Sequence, residues 1–296
     1  MKNEVITYRV HEVSEYINWV YFFHAWGFSP RYASVASVCD CVSCQSGWIF
    51  GFLYEERIKA QEAVQLFMEA QKVLKELDKQ TSVRAMYRLC PANAEGDDLL
   101  IDGTLFPLLR QQKVQEAGQP YLCLSDFIRP LSSGVPDTIG LFATTVHEPN
   151  IEEADAYKRL LIQTLSDRLA EAGAEKMHQY VRKEAWGYAP DENLTIEQLH
   201  KEEFQGIRPA VGYPSLPDQS VNFLLDQLLD MQQIGITLTE NGAMSPHASV
   251  SGLMFAHPQS HYFSIGKIGE DQFQDYVRRR KLPEERMRQF LASCLN

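Results

Sequence analysis

The side chains best suited to chemistry lie in the segment QGIRPAVGYP, residues 205–214. Its two prolines exclude a helix, because proline lacks the backbone N–H and restricts the residue before it. An extended segment leaves backbone groups free to bond a ligand, and Gly212 lets that ligand come close. Arg208 can bind a carboxylate through two hydrogen bonds, and Tyr213 offers an aromatic face and a hydroxyl. Taken alone, the segment is either a ligand-binding strip or a proline-rich connecting loop.

Three of the six cysteines, Cys39, Cys41 and Cys44, fall close together in the sequence CDCVSC. A zinc site usually takes four ligands arranged as two pairs, and only Cys41 and Cys44 have the spacing of such a pair. The three thiols could hold a metal with a fourth ligand from elsewhere. Their spacing favours the simpler interpretation, which is reduced cysteines in a cytosolic protein and no metal site.

Charge and composition exclude several classes of protein. The 296 residues carry a formal net charge of −11, from 28 Lys and Arg against 39 Asp and Glu, so we expect no nucleic-acid partner. The basic run at 278–281 is predicted to be a solvated helix face, with a docking patch for an acidic partner as the alternative. No stretch approaches the roughly 18 to 20 apolar residues of a membrane span. Because the N-terminus is charged where a signal peptide would be apolar, we expect a cytoplasmic protein with no membrane partner.

The signatures of common enzyme classes are absent from the sequence. It contains no GxGxxG or GxxxxGK[ST] motif, which argues against the usual dinucleotide-binding and phosphate-binding loops. It also lacks the GxSxG and HExxH motifs of the obvious hydrolases. The chain therefore shows no motif for a protein nucleophile or a catalytic metal.

The pattern of apolar residues predicts the elements that position these side chains. Helical spacing predicts helices over residues 55–79, 152–185, 218–233 (with Asp218 as N-cap) and 270–292 (interrupted before Pro283). Runs typical of strands fall at residues 84–92, 99–103, 121–128 and 138–146, and a hairpin is predicted from residues 248–255 and 261–268. Since strands and helices do not alternate regularly, we predict an α+β fold with a central, largely antiparallel twisted sheet flanked by helices.

Nine blocks of sequence occur in the order of one known family. They are EYINWVYFFHAW (15–26), CPANAEGDDLLI (90–101), LLRQQ (108–112), YLCLSDFIRP (121–130), DRLAEAGAE (167–175), VRKEAWGYAPDENL (181–194), QGIRPAVGYPSLPD (205–218), LTENGAMSPHASVSGLMFAHPQSHYF (238–263) and GKIGEDQFQDYVRRRK (266–281). Together they resemble the activation domain of cobalamin-dependent methionine synthase. The resemblance covers almost the whole chain, so we predict a single domain over residues 1–296.

The resemblance implies a role in the repair of cobalamin. Methionine synthase alternates between cob(I)alamin and methylcobalamin, and it occasionally loses an electron to give inert cob(II)alamin. The activation domain presents S-adenosylmethionine while a flavodoxin-like donor supplies an electron, and cobalt(I) then takes the methyl group from the sulfonium. Both reacting atoms belong to small molecules, so the protein provides proximity and orientation rather than catalytic residues of its own.

The resemblance also implies which residues bind S-adenosylmethionine. Arg208 would hold the carboxylate of its methionine part, and the backbone of Ala210 and Gly212 would bond the adenine or the sugar, with Tyr213 close by. Glu171 matches a family acid near the ligand, although it could instead be a solvated helix carboxylate. The full expected set is Asn18, Glu171, Arg208, Ala210, Gly212, Tyr213, Tyr262 and Phe263.

Two of these positions depart from the family pattern. Tyr262 and Phe263 match an aromatic pair that is commonly two tyrosines, so Phe263 keeps the ring and loses a hydroxyl. At Asn18 the family typically has an aspartate that pairs with the α-ammonium of S-adenosylmethionine. Asparagine brings no charge, and this difference predicts a loss of about 1 to 2 kcal/mol in binding, or roughly ten- to thirtyfold in affinity.

Two larger departures concern the architecture. Residues 31–53 form a family-atypical insertion, whose apolar part GWIFGFLY predicts extra core or, less favoured, a surface for a partner protein. The family domain usually ends a longer chain with homocysteine, folate and cobalamin modules. The implied partner is a cobalamin-binding methionine synthase lacking this domain, contacted in trans without the effective concentration that a linker provides. Alternatives are a non-catalytic module that caps cobalamin, with weak S-adenosylmethionine binding, or a reactivation partner of another corrinoid methyltransferase.

Overall fold

The computed structural model describes residues 2–113, 118, 120–149 and 155–295. The strands are β1 (Glu4–Arg9), β2 (Ser82–Glu95), β3 (Asp98–Ile101), β4 (Thr104–Pro107), β5 (Asp137–Val146), β6 (Thr237–Leu238), β7 (Met244–Ser245) and β8 (Ser249–Met254). The α-helices are α1 (Val10–Ser14), α2 (Trp19–Ala25), α3 (Val42–Phe50), α4 (Arg57–Gln80), α5 (Ala156–Tyr180), α6 (Ile196–His200), α7 (Val221–Leu229), α8 (Glu270–Arg280) and α9 (Glu284–Phe290).

The central sheet is built around β2 and β5, and its paired strands are antiparallel. The strand order is β4-β3-β2-β5-β8, and β1 pairs with the first part of β2. Residues 139–146 of β5 are all buried, as its apolar and β-branched sequence predicts for a strand covered on both faces. Short strands β6 and β7 form a separate pair. This architecture confirms the predicted α+β fold with a largely antiparallel sheet flanked by helices.

The two long helices cover the sheet as their apolar spacing predicts. α4 buries Ala63, Phe67 and Ala70 on one face and packs against α5, which in turn contacts β2, β5 and β8. α5 begins after Asp155, whose carboxylate accepts the backbone N–H of Lys158 at 2.7 Å. It continues into a π-helical turn at residues 181–185, so the predicted helix is confirmed from residue 156, while residues 152–154 lie outside the described part. No helix among the described residues is both long and apolar enough to cross a membrane.

The predicted hairpin after β8 is wrong. Residues 261–268 contain no strand, and Gly266 has a φ of +69°, which a regular strand does not accept. The edge of β8 is taken instead by residues 207–211. Val211 donates its N–H to Ser251 at 2.9 Å, and Ile207 donates to Phe255 at 3.0 Å. The strand-like composition of residues 261–268 could not show which of two segments β8 takes as its neighbour.

Two further predictions need correction. Residues 121–128 form a loop with a 3-10 turn, because the carboxylate of Asp126 accepts the backbone N–H of Cys123 at 2.8 Å and closes that turn. The predicted helix 218–233 is shorter, since α7 starts at Val221 and a 3-10 turn follows it. Asp218 is not its N-cap. The Asp218 carboxylate is buried and accepts the hydroxyl of Tyr276 at 2.8 Å.

Half of the basic run 278–281 is turned into the protein, so its prediction as a solvated face is wrong for Arg279 and Arg280 and holds for Arg278 and Lys281. The side chain of Arg280 is 4% exposed and lies 3.3 Å from the Asp218 carboxylate, which is 2% exposed. Arg279 pairs with Asp98 and Asp275. Of these arginines only Arg278, at 78%, has a largely exposed side chain. The break between α8 and α9 falls at Pro283, as predicted.

The insertion at 31–53 contributes to both the core and the surface. Tyr32 and Val35 are buried, and the ring of Tyr32 stacks on Phe52 with centroids 5.1 Å apart. Phe50 and Leu53 are each 65% exposed. The apolar sequence therefore did not separate the two interpretations, because half of it packs and half of it faces solvent.

Candidate functional site

A cleft of about 640 Å³ opens between α5, the N-terminus of α2 and the 205–214 segment. Residues 199–202 and 262–264 complete its walls. Its volume is in the range of small-molecule sites, roughly 300 to 1,000 Å³. Polar and aromatic side chains dominate the lining, among them Tyr16, Asn18, Tyr21, Arg168, Glu171, Glu175, His200, Glu202, Arg208, Tyr213, Tyr262 and Phe263.

The 205–214 segment forms the floor of the cleft because it lies along the edge of β8. The N–H of Val211 bonds to Ser251, and the C=O of Pro209 accepts the N–H of Leu253 at 3.0 Å. Ala210, between these two bonds, pairs with Gly252, so its own N–H points away from the strand. Gly252 makes this approach possible, since a Cβ there would lie 2.2 Å from the Pro209 oxygen.

Arg208 is held from several sides, but only one guanidinium hydrogen bond is made to the described residues. Its backbone N–H donates to the Tyr262 hydroxyl at 2.9 Å, and its Nη2 donates to the Glu175 carboxylate at 3.2 Å. The guanidinium lies over the ring of Phe142, 5.3 Å from its centroid. The side chain is 10% exposed, and its buried Nε has no hydrogen-bond partner among the described residues. The guanidinium of Arg208 therefore has N–H groups available to donate hydrogen bonds to an anionic group in the cleft.

Glu171 and Tyr213 face each other across the cleft. The Tyr213 hydroxyl donates to the Glu171 carboxylate. Burial and the charge of Glu171 raise the pKa of Tyr213, so its hydroxyl remains a hydrogen-bond donor at neutral pH. Burial likewise raises the pKa of Tyr262 to about 12. Both tyrosines therefore act as neutral polar groups with aromatic faces.

Asn18 is the N-cap of α2. Its Oδ1 accepts the backbone N–H of Val20 at 3.1 Å, which satisfies one of the free donors at the start of the helix. Its NH₂ group has no partner within the described residues and can only donate. The Asn18 side chain therefore uses its oxygen to cap α2, and its N–H donors remain for a ligand in the cleft.

A buried ion-pair network supports the cleft from behind. Arg182 is fully buried and donates from Nε and Nη2 to Glu192, each at 2.7 Å, while its Nη1 bonds to His178 Nδ1 at 2.7 Å. Its Nη1 also lies 3.9 Å from Glu175, which places that carboxylate between Arg182 and Arg208. Burial and the charge of Arg182 hold the pKa of His178 well below its usual value, so this imidazole is neutral.

Residues 9–281 match the family model described as the vitamin B12 dependent methionine synthase activation domain. The chain belongs to this family. The fold agrees, since the crystal structure of the MetH reactivation domain bound to AdoHcy aligns with a TM-score of 0.84 and 35% sequence identity. That alignment covers 100% of this chain and 91% of the other.

The activation-domain fold brings seven of the eight predicted ligand-binding residues to one cleft. These are Asn18, Glu171, Arg208, Ala210, Tyr213, Tyr262 and Phe263. The eighth, Gly212, is not among the cleft-lining residues of the described chain. It turns the backbone with a φ of +88°, and its N–H donates to the Leu216 carbonyl at 2.8 Å. A direct contact between Gly212 and a ligand stays a prediction.

Several residues of this activation-domain cleft were missed by sequence reasoning. Glu175 follows Glu171 by one helical turn of α5, and that spacing on one face is the signal that could have identified it. Glu202 carries no such signal, because it lies in a loop at a φ of +59°. Burial and the charge of Glu175 raise the pKa of the Glu202 carboxyl. The cleft therefore holds three carboxylic acids, of which the sequence predicted one.

Proposed function

We propose that this cleft binds S-adenosylmethionine and that the chain presents its methyl group to cobalamin on a separate methionine synthase that lacks this domain. The result would be reductive remethylation of cob(II)alamin, with the electron supplied by a flavodoxin-like donor. One observation carries the proposal most directly. A relative that is 35% identical over the whole chain is bound to AdoHcy, and this chain has a ligand-sized cleft lined by residues expected to bind such a molecule.

The carboxylate end of the ligand fits Arg208. The Arg208 side chain lines the cleft, and the bond to Glu175 uses one of the five N–H donors of its guanidinium. A ligand carboxylate bonded to the N–H groups that face the cleft would exchange water for a fixed cationic partner. Glu175 keeps the guanidinium oriented by accepting from Nη2 at 3.2 Å.

The cationic groups of the ligand fit the acidic side of the cleft. S-adenosylmethionine carries an α-ammonium and a sulfonium, and the cleft contains Glu171, Glu175 and Glu202. Since Glu175 already pairs with Arg208, the carboxyl groups of Glu171 and Glu202 remain for the positive charges. The adenosine part would lie against the N–H of Ala210 and the rings of the aromatic residues Tyr213 and Phe263.

The role of the protein in the reaction is to hold the ligand in place. Cobalamin, when docked, would supply the nucleophile that accepts the methyl group. Arg208 fixes one end of S-adenosylmethionine, and the rigid floor along β8 fixes the other, which restricts the direction in which the methyl group can point. Holding two reactants in line lowers the barrier through proximity without any acid, base or nucleophile from the protein.

The proposal has two separable tests. Calorimetric titration of the purified chain with S-adenosylmethionine should show one site, and absence of binding at millimolar ligand would refute the ligand assignment. In the second test, a methionine synthase truncated after its cobalamin module is loaded with cob(II)alamin and given reductant and methyl-labelled S-adenosylmethionine. Label should reach the cobalamin only when this chain is added. Transfer to another corrinoid protein but not to methionine synthase would reassign the partner.

A second candidate function is that of a module that caps cobalamin and binds S-adenosylmethionine weakly. Its basis is Asn18, whose oxygen is committed to the cap of α2 and whose side chain lacks the charge of a carboxylate. A capping module would protect reduced cobalamin from oxidation even without S-adenosylmethionine. The rate of oxidation of the partner's cobalamin, measured with and without this chain and without any ligand, distinguishes the two functions.

A further inference from the structure

Three cysteines outside the cleft converge on one point of the surface. The Sγ atoms of Cys39, Cys41 and Cys44 all lie within 4.8 Å of one another, and all three residues are exposed. The remaining cysteines of the chain, Cys90, Cys123 and Cys294, are buried. None of the three converging residues lines the cleft described above.

The local backbone explains how three sulfurs reach one place. A 3-10 helix ends at Ser37, the chain turns through residues 38–41, and α3 starts at Val42. Cys41 is the N-cap of α3, and its Sγ accepts the backbone N–H of Cys44 at 3.3 Å. The turn therefore places Cys39 beside the first helical turn.

Packing does not explain this arrangement. Cysteine is among the residues most often buried, and an exposed cysteine is usually retained for its reactivity. A disulfide would use two sulfurs and leave the third without a role. Three sulfurs at this separation fit ligation of one ion, because tetrahedral Zn–S bonds of about 2.3 Å place neighbouring sulfurs about 3.8 Å apart. Sulfurs that bind different irons of one cluster have to lie farther apart than sulfurs sharing an ion.

We propose that Cys39, Cys41 and Cys44 form a mononuclear site for a thiophilic divalent cation of the Zn²⁺ class. Three sulfur–metal bonds form, each thiol releases its proton to solvent, and no atom is oxidised or reduced. The three thiolates give a ligand set that soft and borderline metals prefer over Mg²⁺ or Ca²⁺. The fourth position is open to water or to a donor from another molecule, as in zinc sites with three protein ligands.

Occupation of the site would also order a weakly anchored element. α3 has no fully buried residue, so little apolar packing holds its first turn in place. A metal bound by Cys39 before the turn and by Cys44 inside the helix would tie the turn to α3. We therefore expect metal to slow proteolysis of residues 38–46 and to leave the cleft unchanged.

The test is metal titration of the full chain, kept reduced and freed of metal by a chelator. Zn²⁺ affinity is measured by competition with a chromophoric chelator, and Co²⁺ is the spectroscopic probe. We expect one equivalent of Co²⁺ with tetrahedral bands and sulfur-to-cobalt charge transfer of an intensity that matches three thiolates. Loss of even an outer partner weakens metal sites about 10- to 100-fold, so each of Cys39→Ser, Cys41→Ser and Cys44→Ser should weaken binding at least about tenfold.

Two controls make the outcome decisive. Ser43→Ala alters the same segment without removing a sulfur and should bind Zn²⁺ like the unmodified chain. Urea unfolding of each cysteine variant reports whether the rest of the fold is intact. The proposal is overturned if the reduced chain binds no stoichiometric metal or if the serine variants bind as well. It is equally overturned if mass spectrometry of the untreated chain shows a Cys41–Cys44 disulfide that persists with Zn²⁺ and reductant present.

Discussion

Asn18→Asp is the substitution that tests the ligand site with the least disturbance of the fold. The Oδ1 of Asn18 caps α2 by accepting the N–H of Val20, and a carboxylate caps a helix about as well as an amide oxygen does. A negative charge at a helix N-terminus is also favourable by about 0.3 to 1 kcal/mol. The free energy of unfolding should therefore stay equal or rise slightly, so that a change in affinity reports on the cleft alone.

The magnitude follows from the charges that line the cleft. A carboxylate about 4 Å from the α-ammonium would gain about 4 kcal/mol at an effective dielectric constant of 20. Desolvation of both groups and the nearby carboxyl groups of Glu171 and Glu202 oppose much of this gain. A net gain of about 1 to 2 kcal/mol remains, which equals roughly ten- to thirtyfold tighter binding. One oxygen of the new carboxylate contacts the α-ammonium of the ligand, and the other oxygen keeps the N-cap of α2.

The assay is isothermal titration calorimetry with two ligands. S-adenosylmethionine has the α-ammonium and should bind Asn18→Asp more tightly, whereas 5′-methylthioadenosine lacks the amino-acid part and should bind both chains equally. Asn241→Asp adds the same charge at an exposed position outside the cleft and should change neither affinity. Equal tightening for both ligands, or no change for S-adenosylmethionine with binding otherwise intact, would refute the placement of Asn18 at the ammonium.

Three further predictions concern the cleft and the core. Arg208→Ala should weaken S-adenosylmethionine binding roughly ten- to hundredfold in the same assay, because it removes a charge-assisted bond of about 1.5 to 3 kcal/mol. Arg280→Ala should lower the free energy of unfolding in urea by about 3 to 5 kcal/mol, because the buried carboxylate of Asp218 loses its cation. As pH falls below about 6.5, the unfolded chain binds a proton at His178 that the folded chain excludes, so stability should fall by up to about 1.4 kcal/mol per pH unit. His178→Gln should flatten that part of the pH profile.

Matched variants separate these effects from general damage. Arg129→Ala removes an exposed arginine outside the cleft and should leave binding unchanged. Arg278→Ala removes a side chain that is 78% exposed, so its cost in urea should stay below about 1 kcal/mol. If Arg280→Ala lowers the free energy of unfolding no more than Arg278→Ala does, the buried pair of Arg280 and Asp218 does not stabilise the fold. If the pH profile of His178→Gln matches that of the unmodified chain, other groups cause the acid sensitivity.

The elements predicted correctly are those whose own sequence determines their environment. In α4, apolar residues recur at helical spacing, and Ala63, Phe67 and Ala70 are buried as that spacing requires. The strand β5 has a continuous apolar and β-branched run and is buried as such runs are. That Arg208 and Glu171 lie in one cleft was predictable for a different reason, since the resemblance of whole blocks located both residues independently of periodicity. Their binding of a ligand stays a prediction.

The failures occur where a partner distant in sequence decides the outcome. Residues 261–268 have a strand-like composition, but residues 207–211 occupy the edge of β8 that they would need. The basic run 278–281 is predicted to be a solvated face because the sequence does not show its acidic partners. Asp218 lies opposite Arg280, and Asp98 lies opposite Arg279. Glu202 joins the cleft from a loop, where no periodic pattern exists to assign it to a face.

The pairing of the 205–214 segment with β8 has a consequence for solubility. A sheet edge with free N–H and C=O groups is a template for strands of other chains and a starting point for aggregation. Here the backbone groups of Ser251, Leu253 and Phe255 are already bonded to the segment, so the floor of the cleft also covers an edge of the sheet. Local opening of the segment would uncover that edge. The proposed ligand, bound between the segment and α5, would therefore oppose intermolecular strand pairing, and we expect chains without ligand to aggregate first.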